Sequence, residues 1–269
     1  MELRTHALQA LALVTPESKC QAVQALWAAR GAWTFGTVEG DTAALPLPGR
    51  PALPRLIPPG DVPKRTPFTA EGRAALVHAI CHIEFNAINL ALDAVWRFDG
   101  MPEDFYRDWM RVAHEESQHF EMLHRLLLAM GHRYGDFEAH DGLWEMCEKT
   151  ASDITARMAL VPRTLEARGL DATPLIQARL RKVGTPDALD IVDCLDVILR
   201  EEIGHVDIGN RWYRWLCQRQ GLEPVSHYKA LVQRYRAPRL RPPFNTEART
   251  AAGFSAEEIA FLASDGVSI

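Results

Sequence analysis

Two Glu-x-x-His pairs stand in the middle of helical seams where leucines belong, and they constrain this chain more than any other feature. From 102 to 130, stepping by fours and threes gives Phe105, Trp109, Val112, Glu116, His119, Leu123, Leu126 and Met130. From 186 to 220 the same walk gives Ala188, Ile191, Leu195, Ile198, Glu202, His205, Gly209, Trp212 and Leu216. From 69 to 98 it gives Val77, Ile80, Glu84, Ala87, Ala91, Ala94 and Phe98. Each is the apolar stripe of a bundle helix, interrupted near its centre by an acid or by an acid and an imidazole. A buried carboxylate without compensation is strongly unfavourable, so a cation belongs beside it.

The helical period dominates from Thr69 to about Gly221, with helices expected at 69–98, 102–130, 142–168 with a continuation to 183, and 186–220. Gly100-Met101-Pro102, Gly131 through Asp141, and Gly184-Thr185-Pro186 punctuate them. Ahead of them lie a short helix at 16–30, with Pro16 in its first turn, and a strap from Leu45 to Phe68. Eight prolines in that strap forbid a packed helix or a central strand. Behind them come a helix near 224–235, a second proline stretch over 237–244, and a last helix opened by Ser255. Glu258 follows Ser255 by three residues, the pattern of a capping box. The expected architecture is all-α: a four-helix bundle over 69–221, an N-terminal helix and strap over 1–68, and a helical, proline-rich extension over 222–269 packed on the bundle.

Glu-x-x-His by itself says little, because 19 glutamates and 10 histidines supply about one such pair by chance. A third pair, Glu121 and His124, is turned roughly 140° from Glu116 and reads as a solvated face. Height along the bundle separates signal from coincidence. Glu84 lies 16 residues before Gly100 and Glu116 lies 16 after it. Both are then about 24 Å from the turn and face each other. Asp93 is seven residues from the turn and half a rotation off the seam, so it fails both tests. In the second hairpin Glu166 lies 18 residues before Gly184 and Glu202 lies 18 after it. Glu166 sits one position beside the seam Cys147, Ala151, Ile154, Met158, Val161, Leu165, and Pro162 is expected to kink the helix there.

Glu84, Glu116, His119, Glu166, Glu202 and His205 together make four carboxylates and two imidazoles. One Glu from each of two helices and a Glu-x-x-His from each of the other two is the inventory of a di-iron or di-manganese carboxylate site. Oxygen-rich ligation without thiolate suits iron first, then manganese, over zinc or copper. Glu115 and Glu201 are expected to accept hydrogen bonds from histidine ring nitrogens across the bundle.

On these residues the chain resembles the ferritin-like superfamily. More closely it resembles the bacterial family designated domain of unknown function 455. The segments carrying that likeness are HIEFNAINLALDAVWRF (82–98), HEESQHF (114–120), MALVPRTLEARGLDATP (158–174), REEIGHVDIGNRW (200–212) and PPFNTEARTAAGF (242–254). The resemblance implies a ferritin-like bundle with a dinuclear metal centre that includes Glu166, and it implies no substrate. More distantly the chain is similar to the ferritin-like tRNA hydroxylases, which insert oxygen into a modified adenosine.

Other features narrow the classes. Thirty-five acids against 30 bases give a formal charge of -5, the wrong sign for a protein that coats nucleic acid. Five scattered cysteines without Cys-x-x-Cys spacing argue against a disulfide framework or a zinc knuckle and for a reducing cytoplasm. The first 19 residues lack the basic start of a signal peptide, and no run of about 20 apolar residues suggests a membrane span. His78 and His82 share a helix face turned away from Glu84 and read as satisfied or half-exposed histidines. Tyr106, Tyr134 and Tyr213 read as packing residues before redox partners. Lys229, Arg234, Arg236, Arg239 and Arg241 form a basic stripe that reads as solvated before it reads as an RNA contact. The expected function is dioxygen activation on two metal ions, as an oxidase or hydroxylase of a small molecule, in a monomer or dimer. A ferroxidase or metal-storage protein, an RNA-modifying hydroxylase and a scaffold with a structural metal site stay open beside it.

Overall fold

A computed structural model describes residues 1–36, 38 and 46–265. The first residue of the expected strap, Leu45, and the end of the expected extension, residues 266–269, lie outside the described residues. The protein is all-α. Among the described residues no strand forms, and Glu2–Thr34 and Leu56–Ala139 make isolated bridges only. Two compact units divide at Gly142: Met1–Gly142 and Leu143–Ile269.

The first unit is built on two long helices, α3 and α4. Its elements in chain order are α1 (Leu3–Ala12), α2 (Pro16–Ala28), α3 (Ala70–Arg97) and α4 (Glu103–Ala129). Thr69 caps α3 through a hydrogen bond from Gly72 N at 3.1 Å. The hairpin between α3 and α4 is closed by Tyr106, whose hydroxyl donates to Phe98 O (2.9 Å) and accepts from Met101 N (3.2 Å). Glu84 to His119 and Phe85 to Phe120 set its antiparallel register. Helix α1, which the sequence expectation did not include, packs on α3, and α2 packs on α4. Helix α3 is long and apolar enough to cross a membrane by length and composition alone. However, 78 % of its apolar 18-residue stretch is buried inside the protein, as befits the helix the unit folds around.

The strap is an ordered part of this unit. Ile57 N donates to Ala139 O at 2.9 Å and Ala139 N to Arg55 O at 3.1 Å, while Arg50 pairs with Asp141 at 2.7 Å. The fully buried Lys19 pins its start, donating from Nζ to Leu11 O (3.0 Å), Gly49 O (2.8 Å) and Asn89 Oδ1.

The second unit contains α5 (Gly142–Lys149), α6 (Ile154–Leu160), α7 (Ala167–Val183), α8 (Pro186–Gln220), α9 (Pro224–Arg234), α10 (Thr246–Ala251) and α11 (Ala256–Asp265). The long helix expected from 142 to 183 is broken. Residues 150–153 interrupt it, and Val161–Glu166 form a π-helical turn between α6 and α7. Pro162, which has no N–H to give to an α-helical ladder, lies at the start of that turn. Gly184, with φ 68°, supplies the left-handed cap that ends α7 before α8 begins. The two arms run antiparallel: Thr155 meets Gln220 (2.8 Å), Pro162 meets Gly209, and Gln177 meets Asp196 (2.6 Å). The last helix opens with the expected capping box, Ser255 N to Glu258 Oε2 at 2.7 Å and Glu258 N to Ser255 Oγ at 3.2 Å.

Candidate metal centre

The first unit brings Glu84, Glu116 and His119 together. Each offers a ligand atom within 4.8 Å of the others. His119 Nδ1 lies 3.3 Å from Glu116 Oε2 and 3.4 Å from Glu84 Oε2. All three are buried among the apolar residues of the expected seam, including Val77, Ala87, Ala91, Val112 and Leu123. The cluster is electrostatically unbalanced. Burial first, and then the neighbouring Glu116 carboxylate, push Glu84 up to about 8, while His119 pulls the other way. Near neutral pH and without a cation, burial therefore favours a proton held by the Glu84–Glu116 pair. Asp93, set aside by height and phase, is buried too, but the chain provides for it. Arg97 Nη2 (2.6 Å) and Trp96 Nε1 (3.1 Å) donate to it.

The second unit places Glu202 and His205 on one face of α8, with His205 Nδ1 3.5 Å from Glu202 Oε1 and the imidazole fully buried. Glu166 closes the π-helical turn, and that turn resolves its awkward phase. A π turn holds one residue more than an α turn and rotates the residues after it. Glu166 is accordingly buried at 9 % exposure, whereas Leu165, the residue on the expected seam, is only half-buried. Four residues on from the Pro162–Gly209 contact along antiparallel arms, Glu166 comes level with the His205 turn of α8.

These donors fit a cation. Glu84 Oε2 and Glu202 Oε2 are buried with no hydrogen-bond partner among the described residues. Buried oxygens of that kind are costly unless a cation takes up the unused lone pairs. Carboxylate oxygens and imidazole nitrogens without thiolate match iron or manganese.

The other candidates have structural employment. Glu121 and His124 are half-buried, and His124 packs on Phe120. His82 is satisfied by Tyr134 Oη (2.7 Å) and the carbonyl of His140 (3.1 Å), and burial lowers both it and His78 to about 4. Tyr213 donates to Pro224 O at 2.7 Å, so with Tyr106 it ties a connection. Lys229, Arg234, Arg236, Arg239 and Arg241 are exposed. Glu115 and Glu201 are half-buried, one taking the Arg111 guanidinium at 2.9 Å and the other 3.5 Å from Arg200.

Sequence reasoning missed the buried cation beside Glu166. Arg163 has only 3 % exposure, yet it gave no signal because its partners lie 47 and 95 residues away.

Fold and cluster define the class first: an all-α protein with a buried glutamate–histidine cluster able to hold metal ions. Within that class the chain belongs to the family described as Protein of unknown function (DUF455), whose model matches residues 13–260. It is 50 % identical over 219 residues to an "Uncharacterized protein" of Haemophilus influenzae, a match covering 79 % of this chain and 75 % of that one. No solved structure matches the chain.

Proposed function

We propose that this protein uses Glu84, Glu116, His119, Glu166, Glu202 and His205 as ligands for two metal ions, iron before manganese. Its activity on that reading is the oxidation or hydroxylation of a small organic substrate with dioxygen. The observation that carries it is the first unit's cluster: two carboxylates and an imidazole within 4.8 Å, buried, with Glu84 pushed up to about 8. Carboxylates and imidazoles of this kind would hold iron or manganese, and the chemistry such ions would supply when bound is reduction of dioxygen.

The chain's own residues do the rest. The Glu84–Glu116 pair would give up its proton on binding a cation, which would couple loading to proton release. Glu116 and His119, one helical turn apart on α4, fix two donors on a rigid element. Val112 and Leu123, both fully buried on the same face, keep water from the cluster.

Metal analysis of the purified protein, with anomalous diffraction at the iron and manganese edges, tests the reading. About two ions per chain on these six residues is the expected result. A metal-free protein whose Glu116→Ala, His205→Ala double variant is as stable as the parent overturns it.

A further inference from the structure

Glu166 is the ligand candidate that rests on the least regular backbone, and the C-terminal segment holds that backbone from both sides. On the π-helical turn, Arg163 donates from Nη1 to Asn210 Oδ1 (2.7 Å) and from Nη2 to Glu258 Oε1 (2.8 Å). Its guanidinium lies over the rings of Phe254 (4.7 Å), Tyr213 (5.2 Å) and Tyr228 (5.2 Å). Immediately after Glu166, the carbonyl of Ala167 accepts from Arg249 Nη2 (3.3 Å), and Arg249 is itself held by Asp171 (2.6 Å). Thr164 Oγ1 takes up the Ala159 carbonyl (2.7 Å) and meets Tyr228 Oη (2.9 Å). A π turn is a poorer hydrogen-bonding arrangement than the α-helix it interrupts, and it persists where surrounding contacts dictate it. Here those contacts come from α8, α9 and the segment 249–258.

Glu258 is the centre of this arrangement. It is buried, it caps α11 together with Ser255, and it takes Arg163 on Oε1 and Arg214 on Oε2 (2.7 Å). Capping alone needs one oxygen and no buried arginine. The second oxygen is spent on the residue three positions before Glu166.

We infer that Glu258 is a positioning residue for the metal centre, holding Glu166 in ligating geometry through Arg163 on the π turn. This rests on the ligand reading of Glu166 proposed above. A partner behind a metal ligand changes affinity by about 10- to 100-fold when it is lost.

Manganese(II) binding to the full chain, read by the electron paramagnetic resonance of the free ion, tests it in four proteins: the parent, Glu258→Gln, Glu166→Ala, and the double variant. Glu258→Gln is expected to weaken the looser manganese equivalent by about ten-fold or more. On the Glu166→Ala background it should cause no further loss, although the melting temperature of the metal-free protein still falls. Glu258→Asp, a milder change, should show a smaller loss that also vanishes on that background, and it serves if Glu258→Gln does not fold. A lowered melting temperature with unchanged affinity overturns the inference, as does an affinity loss that adds to that of Glu166→Ala. If the parent binds no manganese, the metal reading falls and takes this inference with it. If Glu166→Ala loses an equivalent and Glu258→Gln does not, the inference falls alone.

Discussion

Burial disfavours charge on Glu84 and Lys19 alike, pushing the carboxyl up to about 8 and the amine down to about 7, yet the chain treats the two differently. Lys19 is given three oxygen acceptors: two backbone carbonyls and the Asn89 side chain. Glu84 is given another acid and an imidazole, and its Oε2 has no hydrogen bond among the described residues. One buried group is completed by the protein, and the other waits for something the protein does not contain. The lysine makes a clean test of this accounting because it touches no proposed ligand. Between about pH 7 and its ordinary value of 10.5, the unfolded chain binds a proton on Lys19 more tightly than the folded chain, where burial works against the ammonium. Stability should therefore rise with pH across that window, by at most about 1.4 kcal/mol per pH unit from this group. Urea unfolding of the parent and Lys19→Met at pH 7, 8 and 9 reads the difference. The parent should gain stability relative to the variant at each step, and parallel trends would remove the amine from the explanation.

Helices α3, α4 and α8 could be read from sequence because their periods run unbroken between strong punctuation. The observed bounds, 70–97, 103–129 and 186–220, fall within a residue of the expected ones. The 142–183 segment could not. Its apolar positions follow an α period up to Val161, and nothing in composition says that a proline will be absorbed by a π turn instead of a kink. Only packing against α8 decides that, since Gly209 lets the Pro162 ring approach so closely that an added Cβ would stand 2.6 Å from it. The π turn is why the burial of Glu166 departs from the α period of the seam, and Arg163 is not legible in the sequence because tertiary contacts alone complete it. The same close approach yields a prediction at this scale. Gly209→Ala gains up to about 1 kcal/mol of helix preference. It also forces a methyl into a rigid ring, and overpacking of that kind costs about 1–3 kcal/mol. The clash should win and lower the melting temperature. Gly169→Ala, on α7 with nothing within 4 Å of the added methyl, should raise it by the helix-preference term alone. If both changes stabilise, the Pro162 contact does not constrain the turn.

At the scale of the whole molecule the acidity acquires a direction. The formal charge is -5, and two divalent ions carrying four positive charges would bring it to -1. A protein that buries acids for a cation should be weaker without that cation than its packing alone implies, and stronger with it. Ligand binding to the folded state alone stabilises by about 2.7 kcal/mol per site at a hundred-fold excess over Kd. Loading with iron(II) without oxygen, or with manganese(II), should therefore raise the melting temperature, and a chelator should reverse the rise. The variants separate a metal site from a merely structural cluster by opposite signs. Glu84→Gln removes an acid whose anion is disfavoured by burial and by the Glu116 carboxylate, so the metal-free protein should melt at the parent's temperature or above it. The same substitution removes a donor, so the shift on loading should shrink or vanish. Glu121→Gln, in the Glu-x-x-His pair that lies off the seam, should leave both quantities unchanged. A structural cluster predicts the reverse for Glu84: a lower melting temperature without metal, and no dependence on metal in any of the three proteins.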